Sequence, residues 1–332
     1  MRNDTMPLIN TYKKCGAEFV EITNNVGMVT TFTNPGGALH SVKYLGEYMT
    51  YQAKNYEDFV KDEVFNGKTI GRVAGRIKAS KFQIGKKKHD LNANEGDNVL
   101  HGGKYGLSTK IFSTRVFNTT EHVHVVYTYF SKAGESGFPG NALFEVHYIV
   151  SNNKPKIKIK LLSYVTEKCP VSLTVHTYFS LGEENLKNTK LFVNASKYFS
   201  IDPKDLILGE PVDVPSYLDF RKPKLVLKDI DNKNMNKGML KGYDHAFLFD
   251  TIDEDVPQVV MENKKFKVSV FTDFDSTVIY TDNFAPGFEA DSSSEKSRRG
   301  IAIEPQLNPS KNRLLSRGDE FSYFIRYEFA KK

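Results

Sequence analysis

Tryptophan is absent from this chain and cysteine occurs only twice, at Cys15 and Cys169. The two thiols stand alone, at neither metal-ligand nor redox-motif spacing, which excludes a disulfide framework and a thiol redox centre and leaves both expected to be free. No stretch reaches the roughly twenty uninterrupted apolar residues of a membrane span, and the opening MRNDTMPLIN has no apolar leader core. Neither export nor membrane insertion is therefore expected. A cytoplasmic location follows, with the sequons at Asn118 and Asn194 accidental. Long amphipathic helical patterns, internal repeats and Gly/Ser/Pro-rich linkers are lacking too, and no shift in composition divides the 332 residues, so one domain over 1–332 is expected. The net charge of +6 comes from 46 basic and 40 acidic residues spread along the chain, not from the clustered basic face of a nucleic-acid binder.

What is present is strand after strand, with 24 Phe and 17 Tyr filling aromatic positions. HVHVVYTYF (His122–Phe130), FEVHYIV (Phe144–Val150) and KIKIKLLSYV (Lys156–Val165) alternate or run β-branched and aromatic. In the last, Ile157 and Ile159 share one face and the lysines the other, as in a sheet with one wet side. SNNKP (Ser151–Pro155) reads as a hairpin loop, and FTNPGGALHSV (Phe32–Val42) as strand, turn and strand. Lys86-Lys87-Lys88-His89 reads as a solvated hairpin turn between two short strands. DSSSEKSRRG (Asp291–Gly300) is the most polar segment and reads as a loop. A single large antiparallel β-domain fits this pattern.

Five segments set a reactive side chain beside turn or strand residues. In NVLHGGKYG (Asn98–Gly106), His101 precedes two glycines that permit positive φ, so an imidazole titrating near neutrality is displayed at a bend; a plain turn histidine is the competing reading. Glu304 in GIAIEPQLNPS (Gly300–Ser310) follows Ile301-Ala-Ile303 and precedes Pro305, which puts a carboxylate at the end of an apolar strand. Burial there raises its pKa and strengthens it as a base, whereas at the surface it is an ordinary strand-end carboxylate. His176 in VHTYFSL reads as a catalyst or as a core histidine bonded to a backbone carbonyl. Asp244 in YDHAFLFD caps a turn, pairs with His245 or serves a site. Arg76 in IGRVAGRI forms a surface ion pair or binds a ligand.

Taken in order, IGRVAGRI, FQIGKKKHDLNANEGDNVLHGGKYGL, VHTYFSLG, IDPKDLILGEPVDVPSYLDFR, YDHAFLFD, VIYTDNFAPG and IEPQLNPSKN resemble the successive blocks of the aldose 1-epimerase (galactose mutarotase) family. The chain departs from the pattern where many members carry Asn and it has Gly75, and where many carry Trp and it has Ile111-Phe112. The resemblance implies an all-β fold, a large antiparallel two-layer β-supersandwich with an open sugar groove, and neither metal nor cofactor. It implies Glu304 as general base, His176 as general acid, His101 hydrogen-bonding the ring-oxygen region, and Arg76 and Asp244 orienting hydroxyls. The partner is then a small-molecule aldose, with no nucleic acid and no membrane, bound by a monomer or homodimer. Three other readings stand beside it: a phosphorylated-hexose epimerase using Arg298 and Arg299, a sugar-binding protein without turnover, and a glycoside hydrolase pairing Glu304 with Asp244.

Overall fold

The computed structural model describes residues 6–53, 55–61, 65–283, 298–309 and 314–332. Residues 291–297 of the polar loop, 284–287 of VIYTDNFAPG and 310–312 of IEPQLNPSKN lie outside the described residues.

Period-two alternation builds the largest sheet. His122–Ser131, Ala142–Ser151 and Lys156–Val165 run as a meander, each antiparallel to the next. Ile157, Ile159 and Leu161 are fully buried while Lys156, Lys158 and Lys160 face outward. These strands belong to a nine-stranded sheet in the order Ser113–Asn118, His122–Ser131, Ala142–Ser151, Lys156–Val165, Phe321–Lys331, Phe266–Thr272, Val259–Glu262, Lys190–Val193, Lys224–Leu225. A five-stranded meander from Leu8–Lys14 to Glu47–Tyr48 and a six-stranded sheet complete the main architecture. The strand ladders of all three sheets are antiparallel, and the single α-helix among the described residues is Tyr56–Lys61.

The core lies between the nine-stranded sheet and the other two. Val125, Tyr127 and Tyr148 from the first join Ile22 and Phe32 of the five-stranded sheet and Ile279 and Ile303 of the six-stranded one in one apolar cluster. Phe32 packs 4.7 Å from Tyr148 and Phe179 5.0 Å from Tyr327, ring centre to ring centre. Such aromatic side chains bury roughly 150–250 Å² each. At the Ile111-Phe112 departure, Ile111 is exposed and Phe112 is buried against Tyr129 at 5.5 Å, so an aromatic still fills that place.

Two local expectations need correction. Pro305 does not end its strand, which runs Ile301–Gln306. The Ile303 N–H donates to the Thr177 carbonyl and the Pro305 carbonyl accepts from Thr174 Oγ1. Residues two apart point the same way, so the N–H that proline lacks is on that side and the ladder with Ser276–Tyr280 loses nothing. The lysine run is only in part a turn: Gly85-Lys86 makes the bend, while Lys87 and Lys88 open the strand Lys87–Asp90, all three lysines exposed.

His245 faces the core side of the six-stranded sheet, buried, its Nδ1 accepting the Asp244 backbone N–H at 3.1 Å. Burial lowers its pKa from 6.5 to about 4. Between these values the unfolded chain binds a proton that the folded chain refuses, so this group costs nothing above pH 6.5 and destabilises progressively as pH falls toward 4. By pH 5 the loss is roughly 2 kcal/mol. His245→Gln keeps an acceptor without titrating, and it should narrow the Tm difference between pH 8 and pH 5 by about 3 °C. An unchanged difference would contradict a buried neutral imidazole.

Candidate active site

One face of the six-stranded sheet floors a cavity of about 530 Å³. In Asp244–Leu248, Asp244 and Ala246 point into it, and His245 and Phe247 point away into the core. The same alternation exposes Val278 and Tyr280 from Ser276–Tyr280 and Glu304 and Gln306 from Ile301–Gln306. Val278 stands opposite Glu304, and Tyr178 opposite Ala302. Continuing the latter antiparallel register by two residues brings His176 opposite Glu304. Cross-strand neighbours approach within side-chain contact, and His176 Nε2 indeed lies 3.1 Å from Glu304 Oε1.

The facing wall is a short two-stranded ribbon, Arg76–Ile77 with Val99–Leu100. Beyond its last rung Gly75 and His101 exchange two hydrogen bonds: the His101 N–H donates to the Gly75 carbonyl at 3.0 Å, and the Gly75 N–H donates to His101 Nδ1 at 3.2 Å. His101 and Gly102 are the central residues of a turn closed by the Gly103 N–H on the Leu100 carbonyl at 3.0 Å. Their φ values of 53° and 83° are both positive, the type I′ pattern. Gly102 has a second reason to be glycine, because a Cβ there would lie 1.9 Å from the Gly71 carbonyl oxygen. The turn carries the His101 ring to within 5.4 Å of the His176 ring, edge to face, with Phe65 packed against both.

Burial dominates the electrostatics. It pushes the Glu304 carboxyl well above its ordinary range, Asp244 adds to the rise and Arg76 opposes it. It lowers His176 from 6.5 to about 3, and lowers His101 well below 6.5 with help from His176 and Arg76. Burial thus disfavours the charged form of both partners in the Glu304–His176 contact. Asp244 is raised by burial, with Arg76 pulling back and Glu95 pushing further. Burial also pulls the Arg76 guanidinium down, but Asp244 and Glu95 outweigh it and leave it above its usual value.

His101, His176 and Glu304 each offer a ligating atom within 4.8 Å of the others. The donor chemistry does not fit a metal. A neutral imidazole has one N–H and one lone pair; the Gly75 N–H aimed at Nδ1 occupies the lone pair and puts the proton on Nε2. A ligating histidine needs the reverse, with its second nitrogen donating to an acceptor. His101 is set to donate a hydrogen bond into the cavity.

All five side chains singled out in the sequence, Arg76, His101, His176, Asp244 and Glu304, line this one cavity. Arg76 is not a surface pair: its side chain is 16% exposed, as is that of Asp244, 3.9 Å away. Asp244 faces Arg76 with its carboxylate, and only its backbone meets His245. Arg298 and Arg299, the candidates for a phosphate, do not line the cavity; Arg299 pairs with Asp282 at 2.8 Å and stacks on Tyr51. Missed in the sequence was Glu95, which grips Arg76 through both oxygens. Its one local signal is the turn Glu95-Gly96-Asp97-Asn98.

The chain is similar to known proteins along nearly its whole length. Residues 18–328 match the family model for aldose 1-epimerase. The aldose 1-epimerase of Escherichia coli (strain K12) is 29% identical over 93% of this chain and 94% of its own length. The galactose mutarotase of Bos taurus is 26% identical over 82% of this chain and 81% of its own. The crystal structure of galactose 1-epimerase from Lactobacillus acidophilus NCFM superposes with a TM-score of 0.87 at 25% identity, covering 98% of this chain and 99% of that one. A β-sheet fold of this architecture, with a histidine–glutamate contact on the face that lines the cavity and a match running almost end to end, makes this chain a member of the aldose 1-epimerase family.

Proposed function

We propose that this isomerase interconverts the α and β anomers of free aldohexoses such as galactose and glucose by moving one proton through the Glu304–His176 pair. Opening a hemiacetal ring removes a proton from O1 and delivers one to O5 as the C1–O5 bond breaks and the C1 carbonyl forms. Glu304 takes the O1 proton and His176 gives its proton to O5. Rotation about C1–C2 presents the other carbonyl face, and reclosure runs the same transfers backwards. The pair carries one proton throughout. The proton starts on His176, sits on Glu304 in the open-chain state, and returns to His176 on reclosure. His101, with its proton on Nε2, donates toward the ring oxygen, while Arg76 and Asp244 hold other hydroxyls. Neither a covalent nucleophile nor a redox group has a step to perform.

The observation that carries this reading is the 3.1 Å contact between two buried groups whose pKa values are driven in opposite directions. We take the chain to act as one domain in the cytoplasm, as monomer or homodimer and without a cofactor; a single apolar cluster joining all three main sheets supports the one-domain reading. The test is polarimetry of freshly dissolved α-galactose, α-glucose and glucose 6-phosphate with protein dialysed against EDTA. Accelerated mutarotation of the free hexoses is expected, and loss of activity on chelation with recovery on adding a divalent ion would overturn the metal-free mechanism.

The exposed Lys86, Lys87 and Lys88 are outside the cavity. Changing all three to Ser should leave the mutarotation rate within a factor of about two, as for surface changes away from a site. A tenfold loss, on the order of 1.4 kcal/mol, would instead favour a phosphorylated substrate.

A further inference from the structure

We infer that Glu95 is a positioning residue of this site, fixing the orientation in which the Arg76 guanidinium meets the sugar; the inference rests on the proposed assignment of Arg76 to the sugar hydroxyls. Glu95 Oε2 accepts from Arg76 Nε at 2.6 Å and Oε1 from Nη2 at 2.9 Å. This side-on, two-bond grip fixes the plane of a rigid fork as well as its place. With the Nε and Nη2 edge held by Glu95, the Nη1 end is directed to Asp244, 3.9 Å away on the cavity floor. At that separation Nη1 and Asp244 are close enough to serve neighbouring hydroxyls, yet are not locked in a hydrogen bond to each other.

Charge neutralisation does not explain Glu95. Asp244 alone would balance Arg76, and a second carboxylate raises Asp244 further. What Glu95 adds is direction. Without it, the guanidinium is free to swing and close its fork on Asp244, tying up both groups that the sugar needs. The loop bearing Glu95 is built to hold it still. The Glu95 N–H donates to the Asn98 carbonyl at 3.1 Å, and the Asn98 N–H returns to the Glu95 carbonyl at 2.9 Å. Asn94 takes the Leu100 N–H at 2.8 Å and donates to the Leu100 carbonyl at 3.1 Å. Leu100 in turn pairs with Arg76 across the ribbon. The carboxylate and the arginine it orients thus belong to one small hydrogen-bonded unit.

The test measures kcat and KM for galactose in Glu95→Gln, Arg76→Gln and the double variant, with Tm as a check on folding. Glu95→Gln should raise KM about tenfold and leave kcat within a factor of about three, the pattern of an interaction shared by ground and transition states. On the Arg76→Gln background the same change should have no further effect. Glu95→Asp, which keeps the charge and gives up the two-bond geometry, should raise KM by about three- to fivefold, and it carries the test if the Gln variant does not fold. A KM within about twofold of wild type in Glu95→Gln, or a full tenfold penalty repeated on the Arg76→Gln background, overturns the inference while leaving the mutarotase reading intact. A wild-type protein without mutarotation, or Arg76→Gln with unaltered KM, instead overturns the reading on which the inference rests.

Discussion

Glu304→Gln is expected to lower kcat by about 10²–10⁴, the usual worth of one general base or acid. Glutamine keeps the size of the side chain and can still hydrogen-bond His176 across the 3.1 Å contact, so what is removed is the capacity to take the O1 proton. His176→Asn should cost a similar factor by removing the donor to O5. Because one proton serves both groups, the double variant should lose far less than the product of the single losses. The pH profile of kcat/KM should be bell-shaped, its limbs belonging to the coupled pair and not to either residue. On the acid side, activity falls when a second proton enters the pair, and with His176 lowered to about 3 that limb lies far below the ordinary histidine range. On the alkaline side, activity falls when the pair loses its only proton, and with Glu304 raised by burial that limb lies well above the ordinary carboxylate range. Should Glu304→Gln retain more than half the wild-type kcat while binding galactose normally, Glu304 is not the base and the reading of a sugar binder gains ground.

Gly102→Ala is expected to cost about 3–5 kcal/mol of stability, from a left-handed alanine and an overpacked backbone contact together. Its φ is +83°, and the new Cβ would lie 1.9 Å from the Gly71 carbonyl oxygen and 2.7 Å from the Arg72 backbone nitrogen. Backbone atoms cannot rotate aside as a flexible side chain does. Either the turn moves, and with it His101, or the Gly71-Arg72 segment moves, and with it Gly75 and Arg76. Activity should therefore fall together with Tm. Gly75→Ala is the control: its φ is +79° but nothing lies within 4 Å of the added Cβ, so only the conformational cost of about 1–2 kcal/mol remains. Equal Tm losses for the two variants would contradict the close approach at Gly102. That open space also bears on the departure at this position, since asparagine tolerates the left-handed region and would find room there.

Much of this molecule was legible in its sequence because the relevant signals are local. Alternation in Lys156–Val165 and its neighbours encodes which face of the sheet is wet, and His-Gly-Gly encodes a bend that turns on positive φ at two successive residues. The ordered motifs brought all five site side chains to one cavity. Individually, His176, Asp244 and Arg76 each admitted a structural reading, and the fold brings all three to one cavity.

Tertiary structure decided the rest. Glu304 is not at a strand end but within Ile301–Gln306, and its burial comes from strands on both sides and from His176 across the register. Local sequence carries no signal for that, because desolvation is a property of everything that surrounds a group. The same holds for the tautomer of His101, set by an N–H from Gly75, 26 residues away, and for the orientation of Arg76, set by Glu95, 19 residues away. Arg298 and Arg299 read as adjacent loop arginines available to a phosphate; folding gave Arg299 to Asp282 and kept both out of the cavity. Residue types and their periodicity determined the sheets, the turn and the chemical inventory, whereas protonation states, donor directions and partner choice waited for the fold, because each depends on atoms that chain closure brings within a few ångströms.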